Sequence, residues 1–256
     1  MKATLTVLGS GTSMGVPTIG CDCAVCHSAD PHDRRTRPSI LVEYGGKTVL
    51  IDTTPDFREQ AIREQIRRLD AVLYTHSHAD HILGIDDLRP LTFHRNGKIP
   101  LYARPEVAEF LQKMFRYIFD SDYKYGGIAQ VEMKPIAGPV DLFGARFDPV
   151  TVLHGDAEII GYRFGSAAYL TDFSEIPANS LEQLKDLDIL FLDALRHKPH
   201  PTHSTVDNSL KIVEQLKPKR AFFTHICHDL PHEETNAALP PHVRLSYDGM
   251  KLDFEI

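Results

Sequence analysis

Apolar and polar residues alternate from Thr4 to Leu8. The same two-residue period, or a short apolar run, returns at Ser39 to Tyr44, Lys47 to Ile51, Ala71 to Tyr74, Val150 to Leu153, Ile159 to Phe164, Ala167 to Leu170, Ile189 to Leu192, Ala221 to Phe223 and Lys251 to Phe254. Each predicts a strand. Gly45-Gly46, between the second and third runs, predicts a hairpin turn. A helical spacing takes over between strands. One helix is predicted to begin at Pro55 behind Thr54 as N-cap, with Phe57, Ala61, Ile62, Ile66 and Leu69 on roughly one face. A second begins at Pro105 and carries Val107, Leu111, Met114, Phe115 and Ile118; a third runs from Thr205 to Leu216 and is stopped by Pro218. Strand blocks separated by helices predict sheets covered by helices. The periodicity is compatible with one sheet or two.

At 256 residues and 42% hydrophobic composition, the chain can bury a substantial core, as one large domain or two fused halves. A net charge of -7 and a pI near 6.0 suit a soluble enzyme and argue against a protein that tracks a nucleic-acid backbone. No stretch approaches the ~20 apolar residues of a membrane span. The N-terminus reads as a strand rather than a signal peptide, so a cytoplasmic protein is expected. Three of the four cysteines fall at Cys21, Cys23 and Cys26, a spacing that suits a metal better than disulfides.

The most informative stretch is Tyr74-Thr75-His76-Ser77-His78-Ala79-Asp80-His81. It places four metal-ligating side chains within six residues, directly after an apolar strand. Neutral imidazole and carboxylate are the usual donors to zinc, manganese or iron. In extended chain His76 and His78 share one side and can share an ion, while Asp80 and His81 come after the turn and can serve a second.

This motif resembles the signature of the metallo-β-lactamase superfamily, and other pieces follow in the expected order: His154 after the strand ending at Leu153, Asp172 in Tyr169-Leu170-Thr171-Asp172, and His225 in Phe223-Thr224-His225. The resemblance implies an α/β protein of the αββα sandwich type, two β-sheets flanked by helices, formed as one domain over residues 1–256. It implies His76, His78 and His154 on one divalent ion, Asp80, His81 and His225 on another, and Asp172 bridging them. Mn2+ and Zn2+ are the ions expected. Metal-bound histidines usually give their second nitrogen to a carboxylate or carbonyl. Asp52, at the end of the strand Thr48 to Ile51, is a candidate for that role; a plain turn aspartate is the competing reading.

The segment His197-Lys198-Pro199-His200-Pro201-Thr202-His203 offers an acid for a leaving oxygen, because the imidazole pKa lies near the working pH. It resembles the P-T-H segment of the phosphodiesterase branch of the superfamily, which implies His203 as the catalytic histidine; His200 competes and His197 trails. Asp80, besides ligating, can orient the attacking hydroxide.

Three thiols want a fourth ligand to close a tetrahedral zinc site. Cys227, His228 and His27 are candidates. A catalytic thiol is the weaker alternative, since no adjacent base singles one cysteine out. The cysteine loop, spanning about residues 20–28, resembles that of the PhnP-type cyclic phosphodiesterases of phosphonate breakdown. That resemblance implies a structural Zn2+ on Cys21, Cys23, Cys26 and His228, with Cys227 left as an alternative.

Gly9-Ser10-Gly11-Thr12-Ser13-Met14-Gly15 mimics a dinucleotide fingerprint, but Pro17, Gly20 and the cysteine loop occupy the place of the required helix. A tight turn with close packing is one reading; likeness to the G-T-S-x-G-x-P run of the PhnP-type proteins favours the other, a phosphate contact through backbone amides. Asp86, Asp87 and Arg89 resemble a family D-D-L-R run, with Arg89 a candidate phosphate partner. The aromatic run Phe110, Phe115, Tyr117, Phe119, Tyr123, Tyr125 is expected in core or interface, with a lid at Gly126-Gly127 as the alternative.

Together these features predict a phosphodiesterase that opens a small cyclic phosphate, for instance 5-phosphoribosyl 1,2-cyclic phosphate, by a metal-bridged hydroxide with a histidine general acid. The expected partner is a small-molecule phosphodiester, with no nucleic acid, no membrane and a homodimer by analogy. The alternatives are a tRNA 3′-processing endonuclease, which should carry a basic arm, a thioester or lactone hydrolase, which should lack the cysteine loop, and a metal-binding module without catalysis.

Overall fold

The Gly45-Gly46 turn explains the start of the fold. Both glycines have positive φ (53° and 71°), as a two-residue type I′ turn requires, and the flanking strands pair Tyr44 with Lys47. The computed structural model describes residues 1–93, 95–120, 122 and 127–256. Among these, two seven-stranded sheets form. The first contains β1 (Lys2–Gly9), β2 (Ser39–Tyr44), β3 (Lys47–Ile51), β4 (Ala71–Leu73), β5 (Ile99–Ala103) and β6 (Val131–Pro135). The second contains β7 (Val140–Leu142), β8 (Ala145–His154), β9 (Ala157–Phe164), β10 (Ala167–Leu170), β11 (Ile189–Asp193), β12 (Arg220–Thr224) and β13 (Val243–Leu245). The last strand, β14 (Lys251–Glu255), returns to pair antiparallel with β1 at the edge of the first sheet. Helices α1 (Phe57–Arg63), α2 (Ala79–Ile82), α3 (Arg89–Thr92), α4 (Pro105–Met114) and α5 (Arg116–Phe119) follow strands of the first sheet; α6 (Ala178–Glu182), α7 (Val206–Leu216) and α8 (His232–Ala238) follow strands of the second.

Two-residue alternation sends successive side chains to opposite faces, and both faces are covered. Val49 and Ile51 of β3 enter a core between the sheets with Val7, Val42, Phe147, Tyr162 and Phe191, whereas Leu50 faces an outer core with Phe57, Leu88, Val107 and Leu111. On the far side Leu170, Leu190 and Phe223 pack against Leu184, Val206 and Val213. Each fully buried Leu or Phe contributes about 1.5–3 kcal/mol. This is the helix–sheet–sheet–helix sandwich expected. No helix among the described residues is long and apolar enough to cross a membrane.

Four strands escaped the sequence pattern. β5 and β6 contain Pro100 and Pro135, β6 also carries Glu132 and Lys134, and β7 and β13 are three residues long. Two helix expectations are corrected. The first helix stops at Arg63, because Gln65 takes a left-handed φ of 54°; Ile62 is exposed, and Ile66 and Leu69 reach the core from the connecting segment. Its N-cap is Asp56, and the Thr54 hydroxyl accepts from the Asp56 amide instead. The second helix breaks at Phe115 (ψ 40°) into α4 and α5, leaving Phe110 and Met114 exposed while Phe115 and Phe119 lean on the core. Tyr123, Tyr125 and Gly126 lie outside the described residues. The third helix has Thr205 as N-cap, its side chain accepting from the Asn208 amide, and ends at Lys217 in a left-handed turn.

Candidate active site

The parallel strands β3 and β4 of one sheet, and β10, β11 and β12 of the other, end at one rim of the sandwich. Open α/β sheets commonly bind ligands beyond such carboxyl ends. Asp52 follows β3, His76 lies beyond β4, His154 ends β8, Asp172 follows β10, Asp193 ends β11 and His225 follows β12. Asp52, Asp172 and His225 all hold left-handed φ values (66°, 57° and 58°), a strained conformation for residues other than glycine. Each turns the chain sharply off its strand, so the side chain meets its neighbours from other strands.

Two groups of ligand atoms result, each with every pair within 4.8 Å: His76, His78, His154 and Asp172, and Asp80, His81, Asp172 and His225. Asp172 belongs to both. All but His78 are buried. His76 Nε2, His81 Nε2, His225 Nε2 and Asp80 Oδ2 are buried without a hydrogen-bond partner, which costs stability unless something else satisfies them. Their spacing says what does. His81 Nε2 lies 3.3 Å from Asp80 Oδ2 and 3.2 Å from Asp172 Oδ1; His225 Nε2 lies 3.0 Å from Asp172 Oδ2 and 3.5 Å from Asp80 Oδ2. Ligands ~2.0–2.2 Å from a common ion at roughly tetrahedral angles stand about this far apart. The residues present fit divalent cations.

On His81 and His154 the opposite ring nitrogen is already committed. His81 Nδ1 donates to Asp52 Oδ2 at 2.7 Å, and Asp52 also accepts from the amide and hydroxyl of Thr75, both at 2.8 Å. His154 Nδ1 donates to the Thr202 carbonyl at 2.7 Å. These bonds fix the tautomer that leaves Nε2 bare for a metal. The charges agree. Burial opposes the negative charge on Asp172 and Asp80, yet the neighbouring imidazoles hold both carboxyls well below their ordinary range. Burial likewise opposes a charge on His225, and Asp172 overcomes it, raising the pKa to about 10. The pocket concentrates carboxylates that demand cations.

Sequence reasoning missed Asp193. It is fully buried, and its Oδ2 accepts from His203 Nδ1 at 2.7 Å and from the Phe173 amide at 3.2 Å. The His203 ring stacks on His225 at 4.6 Å and sits edge-on to His154 at 4.7 Å, beside both groups. His200 lies further out, with its ring 5.0 Å from His203 and its Nδ1 taking the Thr202 hydroxyl rather than a carboxylate. A signal for Asp193 existed: Leu50-Ile51-Asp52, Leu170-Thr171-Asp172 and Leu192-Asp193 each end an apolar strand in aspartate.

The thiols of Cys21, Cys23 and Cys26 stand 3.1, 3.5 and 3.3 Å from His228 Nδ1. Cys227 takes no part; its sulfur accepts from the Asp229 amide, and burial pushes its thiol up to about 11. His27 pairs with Asp22 at 3.3 Å.

Four amides of the glycine run are spent within the fold. The Ser10, Gly11, Thr12 and Gly15 amides donate to Asp248, Thr36, Ile226 and Thr12 respectively. A Cβ on Gly9 would lie 1.9 Å from the Arg37 carbonyl oxygen, so close packing sets that glycine. Arg89 donates to the Gly127 carbonyl at 3.1 Å.

With this geometry in place, relatives become informative. The family model of the β-lactamase superfamily domain matches residues 47–226. A crystal structure of a diphosphatase from the PhnP family is 64% identical, superposes with a TM-score of 0.94 and covers 99% of this chain and 98% of its own. An octanoyltransferase of Porphyromonas gingivalis is 40% identical over 251 residues, 96% of this chain but 50% of that protein. A ribonuclease Z of Bradyrhizobium diazoefficiens is 27% identical over 147 residues, 54% of this chain and 47% of the enzyme. The chain spans about half the length of these two curated relatives.

Proposed function

Because the chain belongs to the β-lactamase superfamily and, within it, to the PhnP family, a metal-dependent hydrolase, we propose that it cleaves a P–O bond in a small, doubly substituted phosphate. The observation that carries this reading is the Asp193–His203 pair set beside two ligand groups that share Asp172. His76, His78 and His154 would hold one divalent ion, Asp80, His81 and His225 a second, with Asp172 bridging. Two such ions supply Lewis acidity, lowering the pKa of water toward ~7 and offsetting phosphoryl charge.

The chain's own groups do the rest. Asp52 and the Thr202 carbonyl keep the His81 and His154 imidazoles in the tautomer with Nε2 bare. Asp80 orients the attacking water. His203, its Nδ1 held by Asp193, presents Nε2 to protonate the leaving oxygen, and the buried carboxylate stabilises the imidazolium before transfer. Cys21, Cys23, Cys26 and His228 would hold a structural zinc, which would tie the N-terminal loop to the segment after His225.

The substrate that the resemblance to PhnP-type cyclic phosphodiesterases implies is a cyclic phosphodiester such as 5-phosphoribosyl 1,2-cyclic phosphate. A disubstituted diphosphate is the second reading, favoured by the 64%-identical diphosphatase. Both present a phosphorus with two ester or anhydride links and one negative charge, so the same residues serve either.

The test is turnover by manganese-loaded protein of bis(p-nitrophenyl) phosphate, then of a ribose cyclic phosphate and a dinucleoside diphosphate in parallel. Hydrolysis of the diester and one physiological analogue is expected. Activity confined to thioesters or lactones, or cleavage of precursor tRNA at a comparable rate, overturns the reading.

A further inference from the structure

Three arginines line a cavity of about 1050 Å³ that shares no residue with the metal-ligand groups. It opens where β8 outruns its partner: β7 pairs with β8 only from Ala145 to Phe147, and beyond that the wall includes Asp148, Pro149 and Thr151. Arg146 comes from β8, Arg163 from β9 and Arg104 from the turn before α4.

All three guanidiniums are held in the same way. Arg104 Nε pairs with Glu106 at 2.7 Å, Arg146 Nε with Asp148 at 2.8 Å, and Arg163 Nε donates to the Gly165 carbonyl at 3.4 Å. Each acceptor lies two residues after its arginine. The clasp occupies the Nε edge and orients the plane, leaving the Nη ends for something else. Arg163 Nη1 donates to the Gln183 carbonyl, and Arg104 Nη2 stands 3.9 Å from an exposed Glu158; no further Nη bond forms among the described residues. Three oriented forks with unspent donors, in a chain of net charge -7, mark a place that selects anions. Planar forks match phosphate oxygens two at a time, and the partly exposed carboxylates on the Nε of Arg104 and Arg146 do little to compete. Pro139, Pro149 and Ile160 supply apolar wall between the charges. A pocket of this size and mixed lining takes an organic ligand rather than a bare ion.

We propose that this cleft binds a nucleotide-sized organic phosphate, its phosphate groups held by the Nη ends of Arg104, Arg146 and Arg163 and its ring against the apolar wall. The site is separate from the hydrolytic one, so binding here does not depend on the reaction assigned above.

Calorimetric titration of the metal-loaded protein with ADP in excess magnesium tests it. The wild type is expected to bind. The Arg146→Gln/Arg163→Gln double variant should bind at least about tenfold more weakly, with diester turnover and melting temperature unchanged. Arg146→Gln alone, at a side chain 61% exposed and therefore safe for folding, should weaken binding by about threefold. His203→Ala should keep wild-type ADP affinity. No binding by the wild type at millimolar ADP, unchanged affinity in the double variant, or loss of affinity in His203→Ala overturns the proposal.

Discussion

The two ligand clusters of this chain are built by opposite means. The histidine and aspartate cluster hangs from strand ends of both sheets, is largely buried, and has the Nδ1 atoms of His81 and His154 pinned by Asp52 and the Thr202 carbonyl. The cysteine cluster is a loop with only Cys26 of its three thiols buried, shaped by amides donating to sulfur: Thr18 to Cys26 at 3.3 Å and Cys26 to Cys23 at 3.4 Å. A core holds the first in place before any ion arrives. The second lies outside the three hydrophobic cores, so ligation of its sulfurs is expected to supply more of its order. The difference teaches where each cluster should fail: lesions in the first should remove chemistry and leave the fold, lesions in the second should weaken the fold and spare the chemistry.

The largest effect is expected at His203. His203→Ala should lower turnover about 100- to 10,000-fold on substrates with a sugar-oxygen leaving group, while elemental analysis finds metal content unchanged. The loss should shrink on bis(p-nitrophenyl) phosphate, whose leaving group needs no proton. An equal loss on both would remove His203 from the acid role. Next comes Asp52→Asn, which removes the negative charge facing His81 and leaves one oxygen to accept from three donors, and should cost about 10- to 100-fold in metal affinity or turnover. A melting temperature that falls as far as the activity would mean that Asp52 holds the fold rather than the ligand.

Cys23→Ser reads the other side of the comparison. It should remove one zinc per chain and lower the melting temperature, by roughly 2–4 °C for each kcal/mol lost, with turnover per folded molecule nearly intact. Large loss of turnover at full thermal stability would reverse the contrast.

The smallest effect lies at His232, away from both clusters. Burial and the adjacent Arg35 guanidinium depress its pKa to about 4. The folded state therefore prefers the neutral ring, while the unfolded chain protonates it at its ordinary value. Stability from this residue is present above pH ~6.5 and is lost as pH falls toward 4. Melting curves between pH 7.5 and 4.5 should fall less steeply for His232→Gln than for the wild type; parallel curves would exclude the residue.

Much of this contrast was legible in the sequence. The strands that carry ligands are short, continuous apolar runs, readable because both faces of each sheet are buried, and the motif from His76 to His81 stands out in composition alone. Strands with a polar face or a proline, such as β5 and β6, were lost because their pattern matches loops equally well. Asp193 was missed because a carboxylate that acts through another residue has no motif of its own; only the fold brings it to His203, ten positions further along the chain. The glycine run left close packing and a phosphate contact both open for a related reason. Glycines that permit close packing and glycines that expose amides look alike until the amides are traced to Asp248, Thr36 and Ile226.

The central claim is that the strand-end cluster holds two ions sharing Asp172, with a third metal kept apart in the cysteine loop. The most direct measurement is to strip the protein with a mild chelator, then titrate Mn2+ back while following diester turnover and metal content. The account predicts that one zinc per chain survives and that turnover climbs until two equivalents of Mn2+ are bound. Full activity at a single equivalent, or none at any, would contradict it.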